Sequence, residues 1–221
     1  MKKQLFIFLL GSLVIHLSAQ EDPQAKTILD KVSVKNTHYK TIKADFKYTV
    51  SSIQTQEPSR SESGKIILKG DKYHLQLTTT DILSDGKDVY TYLKGPNEMN
   101  ITKAESGKKD QGSFFLSNPR DIFKAYQDFK PKLVKETMAG STLCYEIDLY
   151  PINLKTAPYS RIRMHIEKAS LQIVDMKLFQ KDGTQFLLEL SSFQPNTEIT
   201  DQEFEFDRKK YPKTQVNDMR F

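Results

Sequence analysis

Alternation of apolar and polar residues along many short segments is the feature that most constrains how this chain can fold. Between residues 42 and 50 every second residue is apolar, and Lys43, Asp45 and Lys47 stand among them. Because the side chains of a β-strand point alternately to its two faces, this period of two predicts a strand with one apolar face.

The same period returns between turn signals such as Gly70-Asp71 and Asp85-Gly86. It predicts further strands over residues 65–69, 72–78, 88–94, 98–104, 132–138, 141–150, 161–167, 171–180 and 184–193. About ten or eleven short strands joined by tight turns indicate a mainly β fold built on a single antiparallel sheet.

An N-terminal helix is predicted ahead of the first strand. Asp22 followed by Pro23 is typical of a helix start. The aspartate carboxylate caps the first turn, and proline fits at the first helical position because a backbone N–H there would have no partner within the helix. The apolar stripe that follows consists of Ala25, Ile28, Leu29 and Val32.

A second, shorter helix is predicted where the alternation stops. Asn118 and Pro119 repeat the start signal, and the apolar residues that follow on one side are Ile122, Phe123 and Tyr126. Just before it, Phe114 and Leu116 follow a polar loop that contains glycine, so we expect a mobile apolar flap.

The first twenty residues have the composition of a secretory signal peptide. Lys2 and Lys3 precede an apolar run that ends near Ile15, which is shorter than the roughly 20 residues that a membrane span needs. We expect cleavage between Ala19 and Glu21, which removes residues 1–20 and leaves residues 21–221 as one domain. A retained N-terminal anchor is the alternative.

Charge argues against nucleic acid as a partner. The net charge is +5, and two of the lysines responsible lie in the predicted signal peptide, so the remainder carries +3. Its basic residues are scattered among acidic ones rather than clustered, and the slight positive excess is compatible with brief encounters at an anionic membrane surface.

The sequence contains no recognisable catalytic or metal-binding constellation. His38, His74 and His165 lack the spacing of paired ligands, and Asp85 precedes a glycine at a turn. Cys144 is the only cysteine, and its place in a strand predicts a buried thiol. We therefore predict a protein that is not an enzyme and that uses no cofactor or metal.

A long meander must cover its apolar face with a second sheet, with its own closure into a barrel or with helices. Two short helices would cover a strongly curled sheet only in part, which leaves an apolar cavity of the kind that binds lipids. The pattern alone is equally compatible with side chains that fill a closed core.

Two stretches resemble the LolA-like family of periplasmic lipoprotein carriers. Residues 64–73 read GKIILKGDKY, and residues 82–92 read ILSDGKDVYTY. A hairpin turn at Asp182-Gly183 and the residues Phe204, Glu205 and Phe206 follow in the family's order. The resemblance extends over essentially all of residues 21–221.

The resemblance implies an unclosed, strongly curved β-barrel with a helical lid over an apolar cavity. It further implies a periplasmic, monomeric carrier that binds the acyl chains of lipoproteins and moves them from the inner to the outer membrane. Loading would fall to an ATP-driven inner-membrane transporter of the ABC type. A lipid-sensing or glycolipid-binding module of the same fold is the alternative function.

Two departures from the family pattern leave the outer-membrane acceptor open. The arginine that the family can carry after the first hairpin strand is replaced by Lys69-Gly70, and the chain has no tryptophan.

The residues expected to bind lipid are the large apolar and aromatic side chains of the strands and of the lid. On the sheet side they are Phe46, Tyr48, Ile66, Leu68, Tyr73, Leu75, Tyr90, Tyr92, Tyr145 and Ile147, and on the lid side Phe114, Leu116, Ile122, Phe123 and Tyr126.

We expect Phe123→Asp to abolish binding of lipid cargo, because it places a charge on the apolar side of the lid. Circular dichroism should still report a folded β protein. Unchanged cargo binding by a variant with a normal spectrum would remove Phe123 from the lid.

Overall fold

Twelve strands form a single sheet in the computed structural model, which describes residues 22–54, 58–104, 122–123, 126 and 128–220. In chain order they are β1 (Thr41–Ser52), β2 (Pro58–Lys69), β3 (Lys72–Leu77), β4 (Thr80–Ser84), β5 (Asp88–Leu93), β6 (Glu98–Lys103), β7 (Phe129–Ala139), β8 (Thr142–Pro151), β9 (Tyr159–Glu167), β10 (Ile173–Gln180), β11 (Thr184–Pro195) and β12 (Gln215–Asp218). Helix α1 (Pro23–Thr37) precedes them, and 3-10 turns at Asp201–Phe204 and Arg208–Lys210 lead into β12.

The strands are ordered β12-β6-β5-β4-β3-β2-β1-β11-β10-β9-β8-β7 across the sheet. Neighbouring strands are antiparallel except for β12, which pairs in parallel with β6. The sheet is not closed into a barrel, so the predicted mainly β, antiparallel and unclosed fold is confirmed.

Two of the twelve strands were not predicted from the sequence. Strand β4 is only five residues long and lacks alternation, since Ile82 and Leu83 are adjacent. Strand β12 is shorter still and lies far along the chain from its partner β6. The predicted lid helix falls mostly on residues outside the described ranges, which include only Ile122, Phe123 and Tyr126 of it.

Helix α1 lies against one face of the sheet, as its predicted stripe requires, with Ala25, Ile28, Leu29 and Val32 buried. Together with that face it forms the inner cluster, an apolar core that runs across β1–β3 and β8–β11. Its strand members are Ile42, Ala44, Phe46, Tyr48, Ile66, Leu68, Tyr73, Leu75, Leu77, Ile147, Leu149, Ile162, Met164, Ile166, Ile173, Met176, Leu178, Phe186 and Leu188.

The opposite face of β2–β6 is also apolar and is covered by the C-terminal segment, residues 196–220. Its buried side chains form the outer cluster, which comprises Ile67, His74, Leu83, Met99, Ile101 and Phe204. The segment is fixed by Asp201, whose carboxylate lies 2.8 Å from Lys69 Nζ and 3.0 Å from Lys72 Nζ. The sheet is therefore buried on both faces in this half.

Asp22 joins helix α1 to the edge of the sheet. Its Oδ1 accepts hydrogen bonds from the backbone N–H groups of Gln24 and Ala25, at 3.0 and 3.1 Å. Its Oδ2 accepts one from the N–H of Leu133 in β7, at 2.9 Å. Desolvation opposes ionisation of this carboxyl, but the three N–H donors prevail and lower its pKa.

We expect Asp22→Ala to lower the free energy of unfolding by about 1–2 kcal/mol, because it removes a helix cap together with the bond to Leu133. Urea unfolding at neutral pH measures the loss. Because the pKa is lowered in the folded state, this contribution is present above pH 3.8 and is lost as the pH falls through the folded-state value.

Asp30→Ala is the matched control, since Asp30 is an exposed carboxylate on the same helix and pairs with the exposed Lys26. Its loss should stay below about 0.5 kcal/mol. An equal loss in the two variants would contradict the assigned role of Asp22.

Candidate functional site

The inner face of the sheet brings most of the predicted lipid-binding residues into one apolar cluster. From the sheet side, Phe46, Tyr48, Ile66, Leu68, Tyr73, Leu75 and Ile147 are buried in it, and Tyr145 packs at its margin. From the lid side, Ile122 and Phe123 are buried in it and Tyr126 packs against it. That these residues bind lipid remains a prediction.

The register of the strands explains why these side chains meet. Phe46 of β1 faces Gly64 of β2, which in turn faces Leu77 of β3. A Cβ atom at Gly64 would lie 2.5 Å from the ring of Phe46, so only glycine leaves room for this ring across the strand. Glycine therefore has a packing role at the start of the stretch that resembles the carrier family.

Tyr90 and Tyr92 lie on the other face of the sheet and are not brought together with the inner cluster. The ring of Tyr90 stacks on Phe206 at 5.5 Å, and the ring of Tyr92 meets Tyr211 at 4.7 Å. Both partners belong to the C-terminal segment, so these tyrosines extend the outer cluster. Phe114 and Leu116 lie outside the described residues.

Aromatic residues that sequence reasoning did not select complete the inner face. Phe193 of β11 lies 6.0 Å from Phe123 and 5.7 Å from Tyr39, measured between ring centroids. Phe186 stacks on Tyr48 at 5.8 Å, and Phe129 stacks on Tyr159 at 6.3 Å. The alternation of residues 184–193 could have predicted that Phe186 lies on the inner face, since it places this ring opposite to Glu189.

Among the described residues, few polar contacts besides the bond of Asp22 to Leu133 hold α1 and the lid residues over the inner face. Asn36 Nδ2 donates to the carbonyl of Phe123 at 3.2 Å, which links α1 to the lid residues. Lys35 Nζ donates to the carbonyl of Ser170 in the turn after β9. The Tyr126 hydroxyl donates to the carbonyl of Ile122 at 3.0 Å. Apolar packing therefore supplies most of the contact between the cover and the sheet.

The phenol groups in this region report a water-poor environment. Burial raises the pKa of Tyr126, and it raises the pKa of Tyr48 although the positive charge of Arg60 acts in the opposite direction. Burial also raises the pKa of Tyr159, and the charge of Asp128 adds to the rise. An inner face of this kind favours apolar groups over charged ones.

A pocket of about 730 Å³ opens at Gly64, and its polar lining lies mainly on the face opposite to the inner cluster, because these residues alternate with Phe46 and Leu77 along β1–β3. Phe46, Leu77 and Leu190 form its apolar part. The remaining lining is polar or charged and consists of Asp45, Lys47, Ser63, Lys65, Gln76, Asp81, Lys94, Glu189 and Ser191. This mixed lining differs from the continuous apolar surface of the inner cluster.

The outer face of β8–β10 carries a network of partly buried charges, in which Glu146 and Asp148 are buried. Arg163 donates to both oxygens of Asp148, at 2.7 and 2.9 Å, and its third nitrogen lies 3.0 Å from Glu146. His165 lies between Asp175, at 2.8 Å from Nδ1, and Glu146, at 3.3 Å from Nε2. Every acidic group of the network has a cationic partner on a neighbouring strand.

Cys144 is buried, as its sequence context predicted, and burial raises the pKa of its thiol. In the part of the chain that the structure describes, no group of three or more His, Cys, Asp or Glu side chains could hold a metal ion. Among the same residues, no helix is long and apolar enough to cross a membrane.

Comparison with known proteins gives one family match. A family model described as an uncharacterized protein matches residues 68–205, more than half of the 221 residues. No curated protein matches the sequence.

Several solved structures are similar to this one. An uncharacterized conserved protein from Thermus thermophilus has a TM-score of 0.57 and 15% identity, over 88% of this chain and 99% of that one. A LolA superfamily protein from Nitrosomonas europaea has a TM-score of 0.43 and 13% identity, over 83% and 98%. Lipoprotein LppX from Mycobacterium tuberculosis has a TM-score of 0.49 and 8% identity, over 81% and 99%. At these identities the first likeness shows the fold alone.

We expect the stability of the protein to fall as the pH rises above 6.5, because of His165. Its hydrogen bond to Asp175 is the main cause that raises its pKa above 6.5, against desolvation, and the contact with Glu146 adds to the rise. The contribution of the imidazolium is therefore complete below pH 6.5 and is lost as the pH rises through the folded-state pKa.

His165→Gln should cost about 1–2 kcal/mol at pH 6 and less at pH 9, measured by urea unfolding. His38→Gln, at an exposed histidine beyond α1, serves as the control. The same dependence on pH in both variants would exclude His165 as its source.

Proposed function

This chain belongs to the family of that uncharacterized-protein model and has the LolA-like fold, and on this premise we propose that it carries the acyl chains of lipoproteins across a periplasm. The observation that carries the proposal is the inner cluster, one continuous apolar surface that α1 and the residues of the lid cover mainly by apolar packing. Such a cover can be displaced by an apolar ligand without breaking many hydrogen bonds.

The energetics of acyl chains require a carrier. Each buried methylene is worth about 0.8 kcal/mol, so three chains of about 16 carbons would cost tens of kcal/mol to expose to water. A carrier must shield these chains and still release them at the outer membrane. A cover that packs on the empty inner face competes with the cargo and lowers its net affinity, which makes release possible.

The cellular setting follows from the same proposal. Residues 1–20 direct export and are removed, and residues 21–221 act in the periplasm as a monomeric binding protein without catalytic activity. An ATP-driven inner-membrane transporter loads the acylated lipoproteins. The acceptor at the outer membrane is left open.

A carrier or sensor of another amphiphile is the second candidate. The pocket at Gly64 favours it, because Asp45, Gln76 and Ser63 beside Leu77 suit a head group that forms many hydrogen bonds. A glycolipid is an amphiphile of this kind, and its sugar would bind the polar side chains of this pocket.

Native mass spectrometry of the protein purified from a periplasmic extract tests the proposal. We expect a bound triacylated lipoprotein or its lipid-bearing peptide, identified after denaturation. A bound glycolipid would favour the second candidate. An empty protein that takes up no added acyl chains would contradict both.

A pair of leucines on neighbouring strands tests which face binds the chains. Leu75 lies in the inner cluster and Leu83 in the outer cluster, with 1% and 3% of their surfaces exposed. Leu75→Ser should weaken binding of a fluorescent 16-carbon acyl probe by about tenfold, because it places a hydroxyl on the binding face.

Leu83→Ser is the matched control, since it makes the same change in the outer cluster and should leave the affinity for the probe unchanged. Thermal unfolding of both variants corrects for their loss of stability. Equal weakening by the two substitutions would contradict binding at the inner face.

A further inference from the structure

Three large apolar side chains project into solvent at one end of the sheet. Ile53 follows β1, and Ile152 and Leu154 lie in the loop between β8 and β9. They are 57%, 57% and 51% exposed, respectively. Exposed apolar side chains that stand together at one end of a protein can mark a contact site.

Hydrogen bonds join the loops that carry these side chains into one surface. The N–H of Ile53 donates to the carbonyl of Gly183 at 2.9 Å, in the turn between β10 and β11. In the same turn Lys181 Nζ donates to the carbonyl of Leu154 at 2.5 Å. The N–H of Ile152 donates to the carbonyl of Asp128 at 3.1 Å. We name residues 53–54, 128–130, 152–158 and 181–183 the hairpin rim.

The charged residues of the hairpin rim give it a small positive excess. Lys130, Lys155 and Lys181 are exposed there, against the exposed carboxylates of Asp128 and Asp182. Asp182 is already engaged, because its Oδ1 accepts a hydrogen bond from the N–H of Thr184 at 2.8 Å. Lysine side chains beside apolar ones can lay their stems on an apolar surface and keep their ammonium groups in water.

The hairpin rim is continuous with the inner cluster. Phe129 and Tyr159 stand at the rim ends of β7 and β9 and stack on each other, and both pack against the inner cluster. The stacked pair of Tyr48 and Phe186 follows on β1 and β11. A molecule at the rim is therefore adjacent to the apolar interior.

We propose that the hairpin rim docks on the surface of an anionic phospholipid bilayer, with Ile53, Ile152 and Leu154 inserted among the head groups. Separate apolar tips flanked by lysines suit a deformable lipid surface, because head groups and acyl chains can fill the space between the tips. The proposal deepens the proposed function, since a carrier that visits membranes would meet them with the end next to its interior.

Flotation with phospholipid vesicles tests the proposal without any cargo. The probe is a vesicle of phosphatidylcholine with about 30% phosphatidylglycerol, and phosphatidylcholine vesicles measure the contribution of charge. The purified protein should float with the anionic vesicles and more weakly with the neutral ones. The triple variant Ile53→Ser, Ile152→Ser, Leu154→Ser should reduce its partition by about tenfold or more.

A second triple variant at the opposite end of the sheet is the matched control. Val34, Met138 and Leu143 are 58%, 57% and 47% exposed, so Val34→Ser, Met138→Ser, Leu143→Ser removes a similar apolar surface. It should leave vesicle binding unchanged. Lys155→Glu should weaken binding to the anionic vesicles and leave binding to the neutral ones unaltered.

Failure of wild-type protein to bind either vesicle would overturn the proposal, and so would an equal loss in the two triple variants. Capture of a specific protein by the rim in place of vesicles would assign the surface to a protein partner. The assay contains no cargo, so its result does not depend on the proposed function. Vesicle binding, together with no acyl-chain uptake in the native mass spectrometry, would refute the proposed function and leave the docking surface standing.

Discussion

Packing of helix α1 on the inner face of the sheet is the contact on which the rest of the structure depends. An unclosed sheet leaves one face apolar across β1–β3 and β8–β11, and exposure of that face would favour aggregation. The helix meets it with a stripe of four buried side chains and is secured to the edge strand by Asp22. Most of the contact between α1 and the sheet is apolar packing. An apolar ligand can therefore replace the helix on the inner face.

The outer face is stabilised in two different ways in its two halves. Over β2–β6 it is apolar and is covered by the C-terminal segment, with Phe204 fully buried. Over β8–β10 it carries Arg163 and His165 between acidic partners on neighbouring strands, so these charges form ion pairs within the sheet. Only the apolar half needs a covering segment. Within the described ranges, the inner face is a large apolar surface that a single helix and the lid residues cover.

Period and capping signals were enough to predict the single sheet and helix α1, because both are local properties of the chain. These local signals do not show which side chains of β5 face the inner cluster. Val89 and Tyr90 point to opposite sides and both find apolar neighbours, so the tyrosine was assigned to the inner face although it stacks on Phe206. That contact depends on a segment more than a hundred residues away. The pairing of Arg163 with Asp148 likewise required the register of β8 and β9, which alternation does not specify.

Strand β12 completes the sheet beside β6 but lies near the end of the chain, so this edge of the sheet forms only after the last residues are synthesised or translocated. A growing or translocating chain presents β2–β6 long before Phe204, Phe206 and the strand Gln215–Asp218 emerge. During that interval Ile67 and Met99 have no cover, and the half-made sheet exposes apolar groups on both sides. A nascent chain of this design therefore benefits from a holding chaperone until its last residues arrive, and truncation by a few C-terminal residues would prolong its most vulnerable state.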